Sequence, residues 1–583
     1  MRLNNSDDTA KIISLLLFII LIAGTILRFA GITFGLPLLS NFYVRPDETL
    51  IVVPAVRLFA VWDYPVLTAY PQLMTILTSA ASHLYYFLAA LSNPARAGNM
   101  ITDFAQNLSA YFLVARILSA CAGSLTIYLV YALGRETMSR PTGLLAAALF
   151  ATAPLAVRDA HFGVTDQILT MLAAATAWAL IRCIKTDNRR FFYFLLSGCL
   201  TGLAVSAKYI ACVLIIPAFW TLYVVNRGKP LWKIMFRMIA MGAVAAVVFF
   251  AVNYQFISEM KTLKGTILNL YHVMFRTSLD GHGWNIMKSA RHILVPLFYG
   301  PGMLPGMLLA IAGIWGIQNK SPQSDQQRVL FLSGAGFLAI LLPVTYAVPY
   351  RYLLPVMPFA ALFTAAGVIK VCRLFTHHAR GMQAAYTILA AILIIPAMLF
   401  SIRIAVLLHA DDARTLAGQW IMDNIQDNIP IIINGPPEGE PQIQESRPSI
   451  GRRMDYVKGL YGEDSGRIVG EIYDMQYRFG KQKAGHNVYR NLTAVDCNAP
   501  DICVVNIEPP FFPSPFKDKN PAPLPPGKII RHVVFNNVNE AQHKLRYDRA
   551  DAFFIPFNHL NSVIRPGPRI DIFVIQKNDS GHS

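Results

Sequence analysis

At 583 residues the chain is long enough for roughly four soluble domains, yet 54% of it is hydrophobic, only 15% is charged, and its mean hydropathy is +0.42. Soluble domains carry about 25% charged residues, so this composition excludes an ordinary soluble protein and points to one helical membrane domain with a polar tail. The net charge of +17 does not argue for nucleic acid, because the Lys and Arg residues sit largely in short loops between apolar runs.

A helix that crosses a bilayer takes about 20 mainly apolar residues. In chain order such runs occupy 12–33, 108–133, 141–157, 165–184, 192–207, 209–225, 234–253, 293–317, 329–348, 353–371 and 384–408. The pair 192–207 and 209–225 is one apolar stretch, divided at Lys208 because a lysine at mid-bilayer is costly. The first run lacks a clear small-residue cleavage site and reads as a retained anchor. Residues 70–91 are also apolar, but His83 and a Tyr-rich end suit a membrane-surface helix.

The basic loops are Arg135 with Arg140; Arg182, Lys185, Arg189 and Arg190; Arg227, Lys229, Lys233 and Arg237; Lys320 with Arg328; and Lys370 with Arg373 and Arg380. Each is two spans from the next, so all share one face, which positive-inside bias makes cytoplasmic. Arg2 and Lys11 join that face only if 70–91 does not cross. The expectation is a polytopic α-helical membrane protein of eleven spans over 1–408, N-terminus inside, with 34–107 as a large outer loop holding juxtamembrane helices.

From 409 to 583 the character changes. Trp420 to Pro430 reads as an amphipathic helix and its stop, and Pro-rich stretches follow at 435–441 and 509–526. Short β-type runs appear at Ile431–Ile433, Ile502–Ile507, Ile529–Phe535 and Ile570–Ile575, which predicts a small C-terminal α/β domain outside the cytoplasm. It contains no catalytic motif. Of the seven cysteines, Cys121, Cys183, Cys199, Cys212 and Cys372 lie in or beside apolar runs as packing residues, while Cys497 and Cys503 of the tail are either a disulfide or two free thiols.

Several polar residues stand where an apolar chain should avoid them. Asp47 and Glu48 follow shortly after the first span. Arg158, Asp159, His161 and Asp166 crowd the connection between two later spans, with Asp166 at or inside the next one. Capping of the following helix by Thr165 or Asp166 accounts for one acid, not for the cluster. Arg158, Lys208 and Arg351 are isolated cations on the outer side, against the charge bias, and together suit an anionic ligand. The loop 254–292 adds His272, Asp280, His282, Trp284 and His292, whose spacing fits no tight metal motif. Acceptor contacts or a lid are the preferred reading there, and a divalent metal stays open.

Acids and cations at one membrane face suit glycosyl transfer from a polyprenyl phosphate. The reaction needs a carboxylate to take the acceptor hydroxyl's proton and cations on the departing phosphate. Asp47, Glu48 and Asp166 are the candidate catalytic acids, with Asp47 as base. Lys208, Arg351 and Arg158 are the candidate phosphate ligands. His161, His282 and Tyr350 are candidate acceptor or lid residues.

Five stretches resemble one family. They are Arg45-Pro-Asp-Glu48; Arg116-Ile-Leu-Ser-Ala-Cys-Ala-Gly-Ser124 followed by Tyr131-Ala-Leu-Gly-Arg135; Arg158-Asp-Ala-His-Phe-Gly-Val-Thr-Asp166; Gly202-Leu-Ala-Val-Ser-Ala-Lys-Tyr209; and Tyr350-Arg-Tyr-Leu-Leu-Pro355. In this order they resemble the motifs of the GT-C superfamily of polytopic glycosyltransferases, in its protein O-mannosyltransferase-like, dolichyl-phosphate-mannose-type branch. The resemblance implies an inverting transfer from an undecaprenyl- or dolichyl-phosphate sugar to a glycan, lipid or protein acceptor, with Asp47 as base, at the bacterial inner membrane. The tail does not resemble the β-trefoil insertions of eukaryotic protein mannosyltransferases. The alternatives are a flippase of a lipid-linked glycan, against which the chain shows no evident inverted repeat, and a non-catalytic assembly protein, which leaves the acids unexplained.

Overall fold

The computed structural model describes chiefly residues 6–36, 46–60, 71–258, 303–315, 322–342, 349–375, 379–435, 439–461, 485–490, 500–508, 524–539, 555–556 and 559–576. Its helices are α1 Ser6–Phe29, α2 Pro46–Ala60, α3 Leu73–Ser92, α4 Met100–Gln106, α5 Leu108–Thr137, α6 Arg140–Thr152, α7 Pro154–Arg158, α8 Asp166–Lys185, α9 Arg190–Ala207, α10 Ile215–Val225, α11 Leu231–Val252, α12 Gln255–Ser258, α13 Met303–Trp315, α14 Pro322–Leu341, α15 Met357–Phe375, α16 Ala379–Leu407, α17 Ala413–Asn424 and α18 Arg447–Tyr461. Among the described residues eight helices are long and apolar enough to cross a membrane, or nine if the bent pair α6 and α7 counts as one span. The chain is an integral membrane protein. Helix α3, read from the sequence as a surface helix, is the least apolar of the eight.

The chain forms two compact units that do not follow its order. One contains 1–30, 68–76 and 116–405; the other contains 31–67, 77–115 and 406–583.

In the first unit, apolar faces pack inward and lipid-type side chains such as Leu15, Phe18, Phe236 and Ile239 stay outside. Glycines bring helices together: a Cβ on Gly313 of α13 or Gly367 of α15 would strike the partner's backbone at Phe363 O or Leu309 O. Two apolar stretches are broken, each for a local reason. Pro154 lacks an N–H and pushes Ala153 out of helical geometry (φ −62°, ψ 118°), so α6 and α7 meet at 57°. At Lys208 the backbone is extended (φ −159°, ψ 131°), which ends α9 where the sequence division placed it, and a 3-10 turn over Tyr209–Leu214 leads into α10.

The basic loops meet at one end of these helices. Glu136 at the end of α5 pairs with Lys185 at 2.6 Å and Arg182 at 3.4 Å, and Asp325 of α14 pairs with Arg227 at 2.8 Å and Arg328 at 3.2 Å. The other end of α8, about 30 Å away along a 20-residue helix, begins with Asp166.

In the second unit, α4 is fastened by Asp103. Its carboxylate accepts from Arg96 Nε at 2.7 Å and Nη2 at 2.8 Å, from Tyr111 Oη at 2.7 Å and from Asn107 Nδ2 at 3.0 Å. Helix α2 packs on α4. The tail folds as a five-stranded sheet of β1 Ile431–Asn434, β2 Val488–Arg490, β3 Asp501–Glu508, β4 Lys528–Phe535 and β5 Arg569–Gln576, in the order β2-β1-β3-β5-β4. β1 runs parallel to β2 and β3, and β5 runs antiparallel to β3 and β4. Ala417 and Ile421 of α17 cover one face over Ile431, Ile433, Val505 and Ile572.

Helix α17 starts before Trp420, where the sequence reading began it. Asp412 caps it by accepting from Arg414 N at 2.8 Å. Cys503 is buried in β3; Cys497, its candidate partner, lies outside the described residues.

Candidate active site

Helix α8 packs against both α9 and the 3-10 turn Tyr350–Val356, and that packing gathers three of the residues singled out from sequence. Asp166 is the first residue of α8, Lys208 follows α9, and Arg351 lies in the turn. Lys208 Nζ donates to Asp166 Oδ1 at 2.7 Å, and Arg351 Nε stands 3.7 Å from Asp166 Oδ2. All three are buried, with 2% of Asp166, 6% of Lys208 and 7% of Arg351 exposed.

Thr165 makes no side-chain cap to α8, so the capping account of this acid falls away: Asp166 is committed to the two cations. The ring of Tyr352 completes the group. Lys208 Nζ lies 3.6 Å from its centroid and the Arg351 guanidinium 5.8 Å, close enough for cation–π attraction. Tyr352 was not among the site residues read from sequence; its signal was its place beside Arg351 in an aromatic Tyr-Arg-Tyr string.

The cluster carries one negative and two positive charges. The surplus positive charge equals the single negative charge of a sugar phosphodiester. A carboxylate between two cations also holds them in place before any ligand arrives, which is the condition for strong electrostatic stabilisation.

The other candidates fall elsewhere. Arg158 and Asp159 are buried and paired with each other, Arg158 Nε at 3.1 Å and Nη2 at 2.8 Å from Asp159 Oδ2, so their charges cancel locally. His161 is fully buried: Nδ1 lies 2.9 Å from Val157 O and Nε2 2.9 Å from Ala30 O. A neutral imidazole has one N–H for those two carbonyls and an imidazolium has two; in either form the ring fastens α7 to the end of α1. Tyr350 is buried at the start of the 3-10 turn. Asp47 and Glu48 occupy the first turn of α2 in the second unit, Asp47 half-buried and Glu48 buried. His282 and the other residues singled out between 272 and 292 lie outside the described residues. Among the described residues no group of three or more His, Cys, Asp or Glu side chains is placed to hold a metal ion.

Comparison with known proteins follows the same line. Residues 99–255, which include Asp166 and Lys208, match the family model described as dolichyl-phosphate-mannose-protein mannosyltransferase. The crystal structure of ArnT from Cupriavidus metallidurans bound to undecaprenyl phosphate superposes with a TM-score of 0.50 at 11% identity, over 86% of this chain and 94% of that one. The chain has the GT-C glycosyltransferase fold.

Other GT-C likenesses are more partial. The putative mannosyltransferase YkcB of Bacillus subtilis is 24% identical over 129 residues, which are 22% of this chain and 18% of that protein. The Archaeoglobus fulgidus oligosaccharyltransferase with a tethered acceptor peptide gives a TM-score of 0.43 at 12% identity, over 72% of this chain and 61% of that one. The GT-C resemblance drawn from the five motifs is borne out.

Proposed function

We propose that this GT-C chain is an inverting glycosyltransferase that takes a sugar from a polyprenyl-phosphate donor at the non-cytoplasmic face. The observation that carries the reading is the buried Asp166–Lys208–Arg351 cluster on Tyr352. A buried set of two cations and one acid inside a membrane domain calls for an anionic ligand. The basic loops gathered at the far end of α8 favour the non-cytoplasmic side for this one. ArnT, the relative whose fold matches, was solved with undecaprenyl phosphate.

In the proposed reaction the acceptor hydroxyl oxygen attacks the anomeric carbon while the bond from that carbon to the phosphate oxygen breaks. The hydroxyl proton passes to Asp47, and the electron pair leaves on the phosphate. The leaving group gains negative charge, and Lys208 and Arg351 stabilise it. Tyr352 and Asp166 hold those cations in place. The acceptor hydroxyl belongs to a glycan, lipid or protein.

The test is mass spectrometry of envelope lipids and glycans from cells lacking the chain, complemented with variants. Wild type restores a missing sugar. Lys208→Gln and Arg351→Gln lower its amount by roughly 100-fold or more, and Asp47→Asn, inserted normally, also loses transfer while still binding the carrier lipid. A deletion that leaves every sugar in place removes the proposal. One that only changes the side on which a carrier-linked sugar is found favours a flippase instead.

A further inference from the structure

Arg28 is a cation in the last turn of α1, fully buried, directly after a run that carries no charge from residue 12 to 27. Such a residue needs a partner or a purpose. Its Nη1 donates to Gly24 O of its own helix at 2.8 Å, and the other partners are carbonyls at the break between α6 and α7. Pro154 has no N–H for Phe150 O, four residues back, which keeps only a long bond from Ala153 N at 3.4 Å, and the break strips Ala151 O and Thr152 O of regular helix donors.

Arg28 Nη2 donates to Phe150 O at 3.2 Å and Arg28 Nη1 to Ala151 O at 3.0 Å, while Ser401 Oγ of α16 donates to Thr152 O at 2.8 Å. Three consecutive carbonyls are thus taken by side chains from other helices. Gly24 gives α1 the close approach this requires, because a Cβ there would stand 2.5 Å from Ile127 Cδ1 and 3.0 Å from Ala151 Cβ. Gly123 keeps clear the space beside Arg28, since its Cβ would stand 3.0 Å from Arg28 Nε and 3.0 Å from Gln167 Oε1.

Beyond the break the chain is fastened again. Gln167 Nε2 donates to Ala156 O at 2.9 Å, and His161 joins Val157 O to Ala30 O. Three residues separate His161 from Thr165 and Asp166. We infer that Arg28 is a positioning residue: it caps Ala151 O and strengthens the weakly held Phe150 O of the broken helix and so sets the bend that delivers Asp166 to Lys208 and Arg351. Its importance for transfer rests on the proposed function, but its geometric effect does not.

The experiment is amine labelling of the full chain in detergent, read at Lys208 by peptide mass spectrometry, with Lys185 as reference. In the wild type Lys208 is buried against Asp166 and is expected to react slowly. Arg28→Met removes all donors, and labelling of Lys208 rises by about tenfold or more, the equivalent of one lost charge-assisted hydrogen bond. Arg28→Lys, whose ammonium keeps three donors, restores protection. Equal protection in Arg28→Met and wild type, or equal labelling of Arg28→Met and Arg28→Lys, overturns the inference.

If Arg28→Met fails to fold, Ser401→Ala decides, since it uncaps Thr152 O alone: raised labelling supports the capped bend, and unchanged labelling overturns it. Labelling reads geometry whatever reaction the chain performs, so its result is separate from that of the glycan analysis.

Discussion

At position 166 a carboxylate accepts an ammonium at 2.7 Å and faces a guanidinium at 3.7 Å, all within a buried region. Removing one member of such a group is costly because the partners stay buried and uncompensated. Asp166→Asn keeps the shape but loses the negative charge, and is expected to destabilise the fold by roughly 3 kcal/mol. Thermal unfolding in detergent measures this; an unchanged melting temperature would mean the two cations are solvated after all. These three residues were legible one by one because a charge in an apolar run is conspicuous. Arg28 offered the same signal, yet nothing in its own neighbourhood in the sequence names Phe150, Ala151 and Ser401 as its surroundings. Tyr352 was hidden because an aromatic residue beside a membrane helix is ordinary.

Among the elements, α4 shows how a seven-residue helix is kept in place. A helix this short is marginal alone, and Asp103 ties it to Arg96, Asn107 and Tyr111. Asp103→Ala leaves a guanidinium and a phenol without their acceptor and is expected to cost about 2–3 kcal/mol. Hydrogen exchange should then rise in residues 100–106, and also in α2, which packs on α4 and bears Asp47 and Glu48. Exchange unchanged in both would show that the carboxylate is not what holds them. Element existence was readable from apolar runs, and the break at Lys208 from the cost of a buried ammonium. The bend at Pro154 was passed over because hydropathy averages across a proline that the backbone cannot ignore.

For the molecule as a whole, pH acts most clearly through the C-terminal α/β domain. Glu440 and Glu445 share Arg453 and Arg490 in a buried network, with Arg453 Nη1 2.8 Å from Glu440 and 2.9 Å from Glu445. Burial alone would raise the Glu445 carboxyl, but the charges and hydrogen bonds of Arg490 and Arg453 outweigh it and hold the group below the usual carboxylate range. Burial lowers His486 below the ordinary histidine value, against the opposing pull of Asp427.

Both folded values are depressed, so each group contributes stability that is present above its unfolded value and is lost as pH falls through the folded one. Exchange protection of β1, β3 and β5 is therefore expected to decline below about pH 6.5 as His486 protonates, and again below about pH 4.3 as Glu445 does. Glu445→Gln should remove the lower step, and His486→Gln the upper. A flat profile down to about pH 3 would contradict the linkage.

The sequence by itself determined the class of protein and the grammar of its elements, because apolar run length, basic loops and β-type runs are local quantities. It also marked Asp166, Lys208 and Arg351, since charge in an apolar setting is costly wherever the chain goes. Only the tertiary structure decided which acid each of the isolated cations meets. Lys208 and Arg351 join Asp166, from which they are 42 and 185 residues distant in the chain, whereas Arg158 turns to its neighbour Asp159. That choice depends on the packing of α8 against α9 and the 3-10 turn. Contacts across such separations are made by the fold, and no window of sequence contains them.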